Sequence, residues 1–461
     1  MEYYLLIDFG STYTKLTAVD TEKEEIAATA KAITTVETNI MDGFNTAMEE
    51  IHAKLGRQAH YIKKLACSSA AGGLKMVAIG LVPDLTAEAA KRAALGAGAR
   101  VIKTYSFNLS SDEISEISQL KPDIILLAGG TDGGNKETII FNAGMLAGSY
   151  IRKPIIVAGN KSARDEIRKI FDQSNMEYYI TDNVMPRLNV LDVDPAREAI
   201  RKVFMSRIIQ AKGMGEAQNF ISGILMPTPQ AVLKAAEALS QGSDEEEGIG
   251  DLIVVDIGGA TTDIHSICTG MPTKPGVTFR GLEEPFAKRT VEGDLGMRYS
   301  ALSLFEASST REMKKYLSNK DQDVEAECRR RSQNIRLVPT TEDEKDFDQA
   351  MAKIATDHSM SRHAGTVEAV YSPMGIMYSQ EGKDLLEVRY MIGTGGVLIH
   401  SEHPHEILEA GTYRQDEINA LKPVKPNFLV DKEYILSAMG LLAEEDKDLA
   451  VRIMKKYIVN G

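Results

Sequence analysis

Leu6-Ile7-Asp8-Phe9-Gly10-Ser11-Thr12-Tyr13-Thr14-Lys15 and Val254-Val255-Asp256-Ile257-Gly258-Gly259-Ala260-Thr261-Thr262-Asp263 follow one local plan, 248 positions apart. In each, an apolar strand ends in a carboxylate, glycine and small hydroxyl residues make a turn, and a second β-branched strand follows, Thr14 to Val19 or Thr262 to Ile267. Such a turn brings backbone N–H groups against an anion, because glycine removes the Cβ that blocks approach and hydroxyls add donors. A carboxylate beside a polyphosphate repels it unless a hard cation such as Mg2+ lies between them. Two such hairpins, each opening its own α/β segment, predict a nucleotide phosphate chain clamped from both sides.

The 461 residues, 43% hydrophobic and 26% charged, are enough for two or three ordinary cores. A formal net charge of −13 argues against a nucleic-acid or anionic-membrane surface, since both need a concentrated positive field. The basic run Arg329-Arg330-Arg331 is expected to be a solvated helix face. Cys67, Cys268 and Cys328 are odd in number and widely spaced, with no C-x-x-C pair, so neither a disulfide framework nor a cysteine-rich metal site is indicated. Cys67 and Cys268 sit in apolar strand patterns and read as small buried hydrophobes. Met1-Glu2 supplies no basic region and Asp8 interrupts the first apolar run, so no signal peptide is expected. No segment approaches the ~18 to 20 apolar residues of a membrane helix, and the expectation is a cytoplasmic protein.

The rest of the chain alternates between two rhythms. Residues 3–8, 14–20 and 25–34 read as successive antiparallel strands, followed by a helix from about Asp42 to Leu55, a strand Ile62 to Cys67, and an apolar run Leu74 to Leu81. From Pro83, short strands alternate with helices, the first of them Thr86 to Leu95 with Thr86 as its cap; this predicts a parallel, doubly wound unit over 83–215. Ile224 to Leu239 reads as a returning helix, and the acidic stretch Gln241 to Gly250 as a flexible linker. After the second hairpin, a third strand is expected at Gly276 to Arg280 and mostly helix over 311–370. A strand Leu386 to Ile392 then runs into Gly393-Thr394-Gly395-Gly396, and helices Lys432 to Leu442 and Glu444 to Tyr457 close the chain.

The two hairpins and the Gly393-Thr394-Gly395-Gly396-Val397 loop, in that order, resemble the phosphate-1, phosphate-2 and adenosine motifs of the actin, Hsp70 and sugar-kinase superfamily. The fold class implied is α/β, with two duplicated RNase H-like domains around a nucleotide cleft and an inserted doubly wound α/β domain. The expected boundaries are 1–82 for the first part of domain I, 83–215 for the insertion, and 216–250 for the return helix and acidic linker. Domain II then covers 251–430 with a helical insertion, and 431–461 holds the C-terminal helices. Outside these motifs, Ile125 to Gly134, Arg289 to Arg298 and Ala438 to Ala443 are similar to the MutL-type accessory proteins of adenosylcobalamin-dependent glutamate mutase. That resemblance implies a slow ATPase and reactivating chaperone that helps a cobalamin mutase expel damaged cofactor.

The resemblance carries roles onto single residues. Asp8 and Asp256 would be the metal-side carboxylates, with Gly10, Ser11 and Thr12 on one side and Gly258, Gly259, Thr261 and Thr262 on the other holding the phosphates of ATP or ADP with Mg2+. Lys15 falls where superfamily members place a phosphate-contacting lysine. Asp263 would hydrogen-bond within its turn, Gly293 and Asp294 match a glycine-acidic loop, and Gly393, Gly395 and Gly396 would admit adenosine close to the backbone. The implied partner is an adenosylcobalamin-dependent mutase. A small-molecule kinase or hydantoinase-like enzyme with the same cleft is the alternative; an actin-like filament former and a radical-enzyme activator are disfavoured by the large insertion and the scattered cysteines. The Gly129 to Gly134 loop, at the end of a parallel strand, is read either as a tight turn or as a partner contact. Among the histidines, His400-x-x-His403-x-His405 lacks metal-site logic, and no D-x-H-x-x-G corrinoid motif occurs.

Overall fold

The computed structural model describes residues 2–10, 12–35, 39–69, 74–208, 221, 224–372 and 375–460. The chain divides into two compact units, residues 1–232 with 281–283, and residues 233–280 with 284–461. It passes from the first to the second within the helix Thr228–Gln241.

In the first unit, β1 (Glu2–Phe9), β2 (Tyr13–Asp20) and β3 (Glu25–Ile33) form an antiparallel meander. β4 (His60–Ser68) lies parallel to β1 on its other side. A second sheet, all parallel, holds β5 (Lys75–Gly80), β6 (Arg100–Ser106), β7 (Ile124–Leu127), β8 (Ile155–Val157) and β9 (Tyr178–Ile180) in the order β6-β5-β7-β8-β9. β10 (Ile224–Pro227) then returns to the first sheet beside β4, giving β10-β4-β1-β2-β3. β1 is buried on both faces from Leu5 to Phe9, as the apolar run Leu5 to Ile7 requires for a central strand. One face meets the helix Ile40–Leu55, whose Ile40, Phe44, Met48 and Ile51 follow helical spacing and pack with Leu5, Ile7, Phe9 and Leu16.

The second unit repeats the plan. β11 (Leu252–Ile257) and β12 (Thr262–Ile267) form the second hairpin, and β13 (Val277–Arg280) belongs to a separate small sheet. β14 (Ala287–Glu292) completes the meander on β12. β15 (Thr366–Ser372) and β16 (Gly375–Glu381) join β13, whereas β17 (Tyr390–Thr394) and β18 (Asn427–Asp431) run parallel to β11, and β19 (Ile458–Asn460) closes the edge. Starting from the central strand, both main sheets read meander, then parallel strands: β3-β2-β1-β4-β10 and β14-β12-β11-β17-β18. This is the duplicated RNase H-like arrangement. The helix Glu342–His363, started by a Thr341–Glu344 capping box, packs Phe347, Met351, Ile354 and Ala355 on Ile253, Val255, Ile257 and Ile264.

Several local expectations change. Sheet membership puts β5, which starts eight residues before Pro83, inside the inserted parallel sheet between β6 and β7. Thr86 does not cap the helix Glu88–Gly96; its hydroxyl turns back to accept from the N–H groups of Leu81 (2.7 Å) and Val82 (3.1 Å). Ile224–Pro227 is strand, and helix begins only at Thr228, because the pair of prolines excludes regular helix before it. The third strand of the second sheet is Ala287–Glu292 and not Gly276 to Arg280. The acidic stretch is held rather than loose: Ser243 Oγ donates to Asp448, and Glu246 meets Lys455 at 2.9 Å. The structure adds the helix Asp194–Ile208 and the strands β18 and β19 to the elements expected from sequence.

Arg331 is the sharpest departure. Far from facing solvent, it is fully buried, with Nε 2.7 Å from Asp348 Oδ1 and its guanidinium 4.3 Å from the Phe347 ring centroid. Arg329 stays half-exposed against Glu325. Removing one partner of a buried pair costs about 3–5 kcal/mol, and Arg298 still reaches Asp348 at 2.7 Å. Arg331→Ala is therefore expected to destabilise the second unit by about 3 kcal/mol, and Arg329→Ala by under about 0.5 kcal/mol, as read from urea midpoints.

Candidate functional site

The two hairpins match position by position at the constant offset. Asp8 faces Lys15 and Phe9 faces Thr14; Asp256 faces Asp263 and Ile257 faces Thr262. Each turn closes with the same hydrogen bond, Gly10 N–H to the Tyr13 carbonyl (3.1 Å) and Gly258 N–H to the Thr261 carbonyl (2.9 Å). A Cβ on Gly10 would lie 2.5 Å from that Tyr13 oxygen, and one on Gly258 3.0 Å from that of Thr261, so the closure selects glycine.

In the first unit, Asp8 ends the buried strand and is 3% exposed. Its Oδ1 accepts from Thr228 Oγ1 at 2.7 Å and from Cys67 Sγ at 3.6 Å; its Oδ2 lies 3.5 Å from Lys15 Nζ. Cys67 comes from the facing position on β4, and Thr228 from the first turn after β10. Burial first, then the Asp8 charge, pushes the Cys67 thiol well up, which keeps it a neutral donor. Thr12 is exposed, with its carbonyl accepting from Thr34 N–H, and Ser11 lies outside the described residues.

In the second unit, Asp256 is partly buried, between Asp263 on β12 and Thr394 on β17. Asp263 is committed: Arg289 Nε (2.8 Å) and Nη2 (2.6 Å) both reach its Oδ1, and Thr261 Oγ1 donates to its Oδ2 at 3.0 Å. The Thr262 hydroxyl is buried and donates to the Leu295 carbonyl at 2.6 Å, so it anchors the hairpin to the loop below. That loop supports the turn. Met297 and Arg298 N–H donate to the Gly258 and Gly259 carbonyls, and Ser300 Oγ lies within reach of those of Ala260 (2.7 Å) and Gly293 (2.8 Å), its one proton serving either. The N–H groups of Gly259 and Ala260 have no partner among the described residues and are the donors the turn offers to an anion. Asp294 is held by Arg362 at 2.8 and 2.9 Å, which lowers its pKa.

Gly393 lies one residue before the end of the parallel strand, and a Cβ there would sit 3.2 Å from Leu398 and 3.3 Å from Leu408. Gly395 adopts φ +97°, and a Cβ there would sit 2.3 Å from the Ile257 carbonyl; the loop thus lies directly on the strand that carries Asp256. Gly396 opens the short helix Gly396–His400, and a Cβ on it would meet only open space. Thr394 Oγ1 donates to the buried Asp431, whose oxygens also take the N–H groups of Ile435 (2.9 Å) and Leu436 (3.0 Å). The second unit therefore gathers Asp256, the Gly258-Gly259 turn and the Gly395-Gly396 turn at the carboxyl ends of its parallel strands, the usual ligand edge of such sheets.

Sequence reasoning missed Thr228, Arg289, Thr394 and Asp431, and the role of Cys67 beside Asp8. Thr228, between Pro227 and Pro229, was legible as a strand-to-helix junction; Arg289 was hidden because Lys288-Arg289-Thr290 was not recognised as strand. Among the described residues no group of three or more His, Cys, Asp or Glu is arranged to hold a metal. Mg2+ still fits, because it is ordinarily held by one or two carboxylates plus phosphates and water, and the partly buried Asp256 beside the open N–H groups of its turn supplies such a donor set. The Gly129 to Gly134 loop spends its polar groups internally: Asn160 bonds Gly133, Gly134 and Asn135, and Asn183 bonds Gly130 and Asp132. No helix among the described residues is long and apolar enough to cross a membrane.

Comparison with known proteins gives a family model described as "MutL protein" that matches residues 4–458. A "Protein MutL" from Clostridium tetanomorphum is 64% identical over 460 residues, covering 100% of both chains. Among solved structures, a xylulose kinase from Lactobacillus acidophilus aligns at TM-score 0.35 and 10% identity, over 100% of this chain and 93% of that one. The ethanolamine utilization protein EutJ from Carboxydothermus hydrogenoformans aligns at 0.28 and 12%, over 95% and 88%. The strand order carries the fold without these structural alignments.

Gly395→Ala is expected to strain the backbone by about 1–3 kcal/mol and to displace the Ile257 carbonyl, whereas Gly396→Ala should fold as the parent does; thermal midpoints separate the two. A second expectation concerns acid. His265 is 1% exposed, and burial, then Arg289, pushes its pKa from 6.5 down to about 3. The unfolded chain binds a proton that the folded chain refuses, so this stability is complete above about pH 6.5 and is lost as pH falls toward 3. Below pH 6.5 the unfolding free energy of the second unit should fall, and His265→Gln should reduce that slope by up to about 1.4 kcal/mol per pH unit.

Proposed function

This chain belongs to the MutL protein family, and from that premise we propose that it is an ATP- and ADP-binding reactivating chaperone for an adenosylcobalamin-dependent mutase, with glutamate mutase as the client. The observation that supports this most is the repeated carboxylate hairpin, on the central strand of each RNase H-like sheet, with identical turn closure.

The roles follow from what each group offers. Gly259 and Ala260 N–H groups receive phosphate oxygens, the Gly395-Gly396 turn admits adenosine against the backbone, and Lys15 balances charge at Asp8. Mg2+, when bound beside Asp256, neutralises the phosphates. Hydrolysis would remove the contacts between the terminal phosphate and the turn that receives it. Swinging a client from mostly tight to mostly loose grip on its cofactor requires nucleotide states that differ by about 5.5 kcal/mol in preference. Charge-assisted phosphate hydrogen bonds, at about 1.5–3 kcal/mol each, supply that with a few contacts. Such a switch works by positioning and charge neutralisation, and slow turnover suits it.

The test is a reactivation assay. Glutamate mutase inactivated with hydroxocobalamin is mixed with fresh adenosylcobalamin, Mg-ATP, and either this protein or its Asp256→Ala form. Recovery is expected with the parent alone. A phosphorylated metabolite with no recovery of mutase would move the assignment to a small-molecule kinase, and calorimetry that detects neither ATP nor ADP would end the nucleotide assignment.

A further inference from the structure

The small sheet β13-β16-β15 ends in a hairpin whose far end stands in solvent. Tyr371 is 81% exposed, and Val370, Ile376, Met377 and Tyr378 are about half exposed. Side chains alternate between the faces of a strand, so both faces are open. Val370 pairs with Met377 on one face, and Ala369 with Tyr378 and Tyr371 with Ile376 on the other. Ala369 to Gln380 contains no charged residue, in a chain that is 26% charged. A contiguous apolar patch of this kind marks an interaction surface.

The outer edge of β15 is used only at its beginning. Val367 N–H donates to the Asn419 carbonyl and Leu421 N–H to the Gly365 carbonyl, both at 2.9 Å. Backbone groups alternate in direction along an antiparallel ladder, and the pairing of β15 with β16 runs without a shift. The N–H and C=O groups of Ala369 and Tyr371 therefore point away from β16, as those of Val367 do, and have no partner among the described residues. Edges are ordinarily blunted by lysine, proline or a bulge. Between Glu368 and Tyr371 the only such device is the charge of Glu368 itself.

We propose that this edge is a self-pairing surface, on which the β15 strands of two copies of the chain join antiparallel about a two-fold axis at Val370. The register follows from the open groups. Pairing Ala369 of each copy with Tyr371 of the other uses both outward N–H and both outward C=O groups on each side, four hydrogen bonds in all. A shift one way sets Tyr371 against Val367, whose N–H is already taken; a shift the other way sets Ala369 against Pro373, which has no N–H. In the chosen register Val370 meets its own copy on the axis, and the row across the seam reads Met377, Val370, Val370, Met377. On the other face the row is Tyr378, Ala369, Tyr371, Ile376, with the small residue opposite the large one. Glu368 falls opposite Ser372, so the two acids do not face each other. That matters for chains of net charge −13, which repel unless they meet through an uncharged stretch. The contact is isologous and closes on itself. A seam of five residues per copy is small, and the dimer is a transient one.

The experiment is sedimentation of the full chain across the micromolar range, without nucleotide, with thermal midpoints followed in parallel. The parent should pass from one chain mass toward two. Val370→Lys puts like charges face to face and should weaken association by at least about tenfold. Ala369→Pro removes one outward N–H without touching the ladder to β16 and should weaken it as well, with the midpoint close to the parent's. Oxidation tests the register: Val370→Cys brings α-carbons to about 4.5 Å, within disulfide reach, and should crosslink. Glu368→Cys leaves them roughly 13 Å apart along the strand and should not; the native Cys67, Cys268 and Cys328 are buried. A parent that stays monomeric throughout overturns the proposal and leaves the edge to a strand from another protein. So does a dimer that survives both Val370→Lys and Ala369→Pro, or a Glu368→Cys variant that crosslinks as fast as Val370→Cys. Should Val370→Lys fail to fold, Ala369→Pro and the two cysteine variants still decide.

Discussion

A carboxylate at the carboxyl end of a strand buried on both faces must be compensated, and both halves of this chain are organised by that requirement. β1 and β11 are apolar because they are central; Asp8 near the end of β1 meets Thr228 and Cys67, and Asp263, paired opposite Asp256 at the end of β11, meets Arg289. An uncompensated charge in such a place costs several kcal/mol, a large fraction of ordinary stability. Thr228 lies 220 residues from Asp8, and Arg289 comes from the third strand of its meander. The sheets must therefore be assembled before either carboxylate is comfortable.

The turns express a second constraint, close approach. Gly10 and Gly258 allow the hairpins to close, and Gly395 lets one loop rest on the carbonyl of Ile257. The loop Gly293 to Ser300 then braces the second turn from below through three hydrogen bonds, two backbone and one from Ser300. Arg298 links this brace to the helix Glu342–His363 through Asp348, the same carboxylate that holds buried Arg331. A site on a turn acquires the rigidity of a helix by such means, which a binding edge needs if phosphate contacts are to be matched in position.

The inserted parallel sheet has another character. Its order, with β5 between β6 and β7, places the Gly129 to Gly134 loop at the change of winding direction, where ligands bind in many doubly wound sheets. Here Asn160 and Asn183 consume the loop's polar groups. The position favours a site, but the hydrogen bonds describe a structural turn.

The amino-acid sequence by itself determined the duplicated hairpins, the alternation that builds the inserted sheet, and the glycine loop after β17, because these depend on local periodicity and on backbone conformations that few residues adopt. Tertiary structure alone decided which polar side chains face one another. Arg331 looked like surface because a basic run carries no record of Asp348 and Phe347, and Thr228 and Arg289 looked ordinary because their partners lie on other strands. Strand pairing is non-local, so Ile224–Pro227, Ala287–Glu292 and Asn427–Asp431 became strands only where an open edge was waiting for them. Charge compensation is likewise a property of assembled neighbours, which is why two hairpins of nearly identical sequence plan hold their aspartates in different electrostatic settings.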